Sequence, residues 1–166
     1  MVITGIGSVT PFGIGKEQIW DAVKNGYSAI RISNRFPSIG EIYCGEIGEI
    51  AFDEYIKDGR FRRAADISKY ALVAGSLAIN DAGGEAIGGE RTALVIGITH
   101  GALNYTQSFH KALIKEGVDT ASPLFFSDSV LNAPAGNSSI CFDINGPVHT
   151  ILGDNEAALK SIIIAC

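Results

Sequence analysis

Gly146-Pro147-Val148-His149-Thr150-Ile151-Leu152, followed by Gly153-Asp154-Asn155-Glu156-Ala157-Ala158-Leu159, is the stretch on which the fold turns. Gly-Pro makes a tight turn, and the β-branched, apolar run after it spells a buried strand ending near Leu152. Gly153 and the polar triplet Asp154-Asn155-Glu156 then open a helix, with Asn155 expected at or within one residue of its N-terminus. A strand that ends at a helix N-terminus is a good place for a nucleophile, because the helix dipole stabilises a thiolate there. This corner holds Asn155, whose amide neither ionises nor forms a thioester. Capping alone also accounts for the triplet, since Asp and Asn are preferred N-caps and acids complement the first helical turn.

Working outward, strand and helix signals alternate. Val2 to Thr4 reads as a buried strand, and Thr92 to Ile98 as another. Lys16 to Lys24 carries Ile19, Trp20 and Val23 at helical spacing, with Gly26 as a stop. Tyr27 to Gly40 reads as irregular, Ile42 to Cys44 as a short strand, and Asp53 to Gly59 as one or two helical turns. The strongest helix spans Asp66 to Ala82, with Ile67, Tyr70, Ala71, Ala74, Leu77 and Ala78 on one face and Gly83-Gly84 ending it. A helix from Leu103 to Lys115 stops at Gly117. Another begins over Ser127 to Ala133 and is kinked or restarted by Pro134. Ser138 to Phe142 reads as a strand that places Cys141 in the core. The alternation predicts a layered α/β domain with a mostly parallel core sheet. The apolar helix Leu159 to Cys166 ends without a capping Gly or a terminal Lys or Arg. A helix hydrophobic nearly all round belongs inside a larger body, so Cys166 reads as a cut point.

Composition narrows the function classes. The chain has 166 residues, a 46% hydrophobic fraction and twenty glycines, which suits one α/β core with many tight turns and argues against disorder. The net charge of −5 disfavours a nucleic-acid or anionic-membrane surface. The one basic cluster, Arg60-Phe61-Arg62-Arg63, reads as a solvated face or a carrier-protein contact. Cys44, Cys141 and Cys166 are too far apart for CxxC chemistry, and one is left over if two pair, which suits a reduced cytoplasmic protein. No run is long enough for a membrane span, and no signal-peptide lead is present.

Other candidate chemistry is weaker. Gly5, Gly7, Gly13 and Gly15 invite a nucleotide-binding reading, but their spacing is not G-x-G-x-x-G and Pro11 removes a donor mid-loop. A structural turn is favoured. His100, His110 and His149 lack the short spacing and partners of a metal site, so each reads as a hydrogen-bonded structural histidine. No metal or cofactor is expected. Ser8, Ser138 and Ser139 lack a nucleophile-elbow context. Cys166 lies about 16 Å along the helix axis from Asn155, at ~1.5 Å per residue, too far to stand in as a nucleophile.

Four motifs in order resemble the β-ketoacyl synthases, which have the thiolase-like fold. Val2-Ile3-Thr4-Gly5-Ile6-Gly7-Ser8-Val9-Thr10-Pro11-Phe12-Gly13 is similar to the family's opening. Trp20, Ala22, Val23, Gly26, Ser28 and Ile30 resemble its next segment. Arg63, Asp66, Ser68, Lys69, Tyr70, Ala71, Leu72, Ala74, Asp81, Ala82 and Gly83 resemble its central helix. Pro123, Phe126, Asn132, Ala135, Gly136 and Gly146-Pro147 resemble its last run.

The resemblance implies a thiolase-like layered α/β/α fold, N-terminal half only, with residues 1–166 forming an incomplete domain. It places the family's catalytic cysteine at Asn155 or one position to either side, at Asp154 or Glu156, none of which is Cys, and the catalytic histidines and lysine beyond Cys166. In the family's chain-length-factor branch an amide, usually glutamine, replaces that cysteine, and Asn155 is one methylene shorter. The implied role is a non-condensing partner in fatty-acid or polyketide biosynthesis, working with an acyl thioester, acyl carrier protein, and a ketosynthase-like partner chain or homodimer mate. Pairing would run across the strand near Val148–Leu152. The alternatives are half of an active β-ketoacyl synthase and, disfavoured by the glycine spacing, a nucleotide-binding domain.

Overall fold

The computed structural model describes residues 2–35, 37–84, 87–120 and 122–166. A hairpin pairs β1 (Val9–Thr10) with β2 (Gly13–Ile14), followed by α1 (Lys16–Asn25). Gly26 ends α1 in the left-handed conformation (φ 67°), as its position after Asn25 predicts. A second hairpin pairs β3 (Arg31–Ile32), inside the stretch expected to be irregular, with β4 (Tyr43–Cys44). Then come α2 (Phe52–Tyr55), a 3-10 turn over Gly59–Arg63 and the long helix α3 (Asp66–Asp81). The second half runs β5 (Leu94–Ile98), α4 (Leu103–Glu116), α5 (Pro123–Ser129), α6 (Ala133–Cys141), β6 (Val148–Leu152) and α7 (Ala157–Ala165). Strands β5 and β6 are parallel, in register from Leu94 opposite Val148 to Ile98 opposite Leu152.

The core forms around α3. Phe52, Ile56, Phe61 and Ala64 pack with Leu72 and Val73, and Phe142 closes over them from the end of α6. Asp128 on α5 is buried and ties three elements together. Its Oδ2 accepts from the Ala65 backbone N–H at the N-cap of α3 (3.1 Å), and its Oδ1 from Asn137 Nδ2 on α6 (3.1 Å).

Several sequence expectations are corrected. Val2 to Thr4 is not a strand: Val2 and Ile3 are 82% and 76% exposed. The segment runs across α3 instead, so close that a Cβ at Gly5 or Gly7 would lie 2.1 Å from the Ala78 carbonyl oxygen or 2.0 Å from that of Ala74. It is fastened by Asp81, which accepts from the Ile6 backbone N–H (2.9 Å) and pairs with Lys16. The expected face of α3 is only half-buried, and the fully buried residues are Ser68, Leu72 and Val73. The cause is packing on several sides, by α6, α2 and β1, which no single stripe describes.

Between Ser127 and Phe142 the sequence reading fails twice. The first helix starts earlier, with Pro123 at its N-terminus, where proline's missing N–H costs nothing. Ser138 to Phe142 is not a strand: through Cys141 it belongs to α6, which restarts at Ala133 with Pro134 in its first turn. The run Ser-Ser-Ile-Cys-Phe carries a weak local preference, and packing against α3 overrides it. Cys141 is therefore a half-buried helix terminus. The mostly parallel core sheet is one parallel strand pair beside two short hairpins among the described residues. Strand β6 is not buried. Val148 and Leu152 are 39% and 56% exposed, because β6 pairs only with β5 there.

Candidate functional site

The site is the corner where β6 enters α7. Strand β6 stops as its ladder with β5 ends, and the Gly153 backbone N–H still reaches the Ile98 carbonyl (3.2 Å). The turn is then built on Asp154. Its carboxylate Oδ1 accepts from the Glu156 N–H (3.1 Å), and its carbonyl accepts from both the Ala157 N–H (3.1 Å) and Thr99 Oγ1 (3.1 Å). Thr99 directly follows β5, so the loops leaving both parallel strands are joined at their carboxyl ends. Such ends are where α/β sheets present ligand-binding loops. Helix α7 is drawn tightly onto β5: Ala157 is 2% exposed, and a Cβ at Gly97 would lie 2.3 Å from its carbonyl oxygen.

Asn155 occupies the turn, one residue before the N-cap Glu156 and two before the first helical residue. It is exposed, and its amide makes no hydrogen bond among the described residues. An unpaired carboxamide beside a helix N-terminus offers two N–H donors and a carbonyl oxygen acceptor. It supplies no nucleophile. The expectation that Asp or Asn caps the helix is corrected: Glu156 is the N-cap, without a side-chain capping bond, and Asp154 closes the preceding turn instead. Glu156 pairs along the helix with Lys160 (3.1 Å).

The remaining candidates disperse. Cys44 lies on β4 and Cys141 at the end of α6, where burial pushes its thiol above the ordinary value. Cys166 follows α7 at the helix end opposite Asn155. Among the histidines only His110 fits the hydrogen-bonded structural reading, with Nδ1 2.9 Å from the Thr106 carbonyl oxygen. His100 and His149 make no such bond among the described residues. His100 follows Thr99, at the same end of the strand pair as Asn155. Sequence reasoning missed that neighbourhood, because only the β5–β6 register reveals it. No cluster of His, Cys, Asp or Glu that could hold a metal is found among the described residues. Gly13 and Gly15 belong to the β1–β2 hairpin and the start of α1, the structural turn favoured above. Of the basic cluster, Arg60 pairs with Asp58 and Arg62 with Asp53, while Arg63 makes no ion pair among the described residues.

Comparison with known proteins gives the corner its context. Residues 1–165 match the family "Beta-ketoacyl synthase, N-terminal domain". The chain is 29% identical over 151 residues to "3-oxoacyl-[acyl-carrier-protein] synthase 2" of Vibrio harveyi, covering 89% of this chain and 36% of that protein. It is 28% identical over 158 residues to the chloroplastic "3-oxoacyl-[acyl-carrier-protein] synthase I" of Arabidopsis thaliana, covering 91% of this chain and 33% of that one. The chain thus spans about a third of the length of these relatives. In structure it resembles a β-ketoacyl synthase from Burkholderia phymatum (TM-score 0.83, 23% identity, 99% of this chain and 42% of that one). It also resembles "The ishigamide ketosynthase/chain length factor" (TM-score 0.78, 18% identity, 92% of this chain and 39% of that one). These likenesses assign the thiolase-like ketosynthase fold, and with the match over residues 1–165 the chain belongs to the β-ketoacyl synthase family.

Proposed function

We propose that the chain is the N-terminal half of a degenerate, non-condensing ketosynthase-like subunit, similar to a chain-length factor, in fatty-acid or polyketide biosynthesis. The observation that carries this reading is the β6–α7 corner. It has the strand-to-helix geometry that favours a thiolate, yet it presents the exposed amide of Asn155. In this reading Asn155 stands at the family's nucleophile position. Its amide hydrogen-bonds a thioester carbonyl but cannot be acylated. The proposed partners are a ketosynthase-like chain and an acyl carrier protein in the cytoplasm. Arg63, free of ion pairs among the described residues, is available to an acidic carrier. The likeness to a ketosynthase/chain length factor supports such an assembly.

A second reading, half of an active synthase, draws on the relatives named as synthases. Intact-mass measurement after incubation with an acyl or malonyl thioester separates the two. The unmodified mass is expected, because no thiol lies at the corner. A stoichiometric adduct mapped to Cys141 or Cys166 overturns the non-condensing reading.

A further inference from the structure

A second place in the molecule, independent of the proposed function, is concave and carries donors without a protein acceptor among the described residues. A cavity of about 840 Å³ opens between the β3–β4 hairpin and the N-terminal half of α3. Phe12, Ile50 and Phe52 give it an apolar lining, and α3 contributes Lys69 and Tyr70. Both are half-buried, and neither the Lys69 ammonium nor the Tyr70 hydroxyl has a hydrogen-bond acceptor among the described residues. The ammonium instead lies over the Phe52 ring, 5.8 Å from its centroid.

The other charges are spoken for or hydrated. Arg35 pairs with Glu46 (3.4 Å), which also accepts from Ser33 Oγ (2.6 Å). Arg31 Nη1 donates to the Ser28 and Ile30 carbonyls. Asp66 and Glu49 line the cavity and are exposed, and burial together with the Asp66 charge pushes the Tyr70 hydroxyl above its ordinary value, keeping it a donor. Two donors that lack a protein acceptor among the described residues, Lys69 and Tyr70, therefore line one open cavity whose walls mix apolar and charged side chains. An anionic oxygen from outside supplies the acceptor that each donor lacks.

We propose that this cavity binds an amphipathic carboxylate: the carboxylate accepts from Lys69 Nζ and the Tyr70 hydroxyl, and the apolar body lies on Phe12, Ile50 and Phe52. The test is titration of the full chain with octanoate, 1-octanol and octylamine below their aggregation limits, followed by NMR or calorimetry. Octanoate is expected to bind at least about tenfold more tightly than either analogue, the worth of a charge-assisted hydrogen bond. Lys69→Met should remove that preference, and Tyr70→Phe, which loses one oxygen and keeps the ring, should weaken octanoate about fivefold. Lys111→Met, at an exposed position on α4, should change nothing. The proposal fails if octanoate does not bind, if octanol or octylamine binds equally well, if Lys111→Met has the same effect as Lys69→Met, or if the folded Tyr70→Phe variant binds octanoate unchanged.

Discussion

Asn155 differs from a reactive residue at this position by one functional group. The turn is already made by Asp154 and closed against Thr99, so the side chain at 155 bears none of the turn's hydrogen bonds. Asn155→Cys should therefore leave the fold intact and place a thiol beside the N-terminus of α7. The dipole there lowers a thiol's pKa, whereas burial raises that of Cys141. Near neutral pH, iodoacetamide should alkylate the introduced thiol at least about tenfold faster than Cys141, a lower pKa meaning a larger thiolate fraction. Peptide mapping over a time course measures the ratio, and equal rates would show that the corner does not activate a nucleophile. The absence of a thiol here was legible in the sequence, because a Gly-Pro turn, an apolar run and a polar triplet are local signals. The capping pattern was not: Asp, Asn and Glu are all acceptable near a helix start, and the tertiary bond from Thr99 helps fix the turn on Asp154.

Elements were legible where their signals were local and strong. Helices α1, α3 and α4 and strands β5 and β6 lie close to where periodicity and glycine stops put them. In the segment from Pro123 to Cys141 only the restart at Pro134 was legible; where the first helix begins and how far the second runs were not, since both take shape through contacts between distant parts of the chain. Asp128 is the clearest of these, as a buried carboxylate on α5 serving both the N-cap of α3 and Asn137 of α6. Asp128→Ala leaves the Ala65 N–H and the Asn137 amide without their acceptor, and should cost about 2–3 kcal/mol of stability. Asp128→Asn, which keeps one acceptor oxygen, should cost less. Urea unfolding compares the three proteins, and an alanine variant as stable as the parent would show that the tie contributes nothing.

At the scale of the whole molecule, the uncovered surfaces bear on the proposed partner. The outer edge of β6 carries no strand among the described residues, and Leu159, Ile162, Ile163 and Ile164 on α7 are each more than half exposed. Unpaired strand edges and contiguous apolar surface of this kind mark interfaces. The sequence announced the apolar character of both elements but not their exposure, because an apolar run looks the same whether its cover comes from its own chain or another. Light scattering across a dilution series, with Ile151→Lys alongside the parent, tests the claim most directly. Ile151 sits on β6 opposite Gly97, and a charge there opposes pairing along that strand. Concentration-dependent association that Ile151→Lys weakens is expected. A clean monomer at every concentration, unaffected by the substitution, would contradict it.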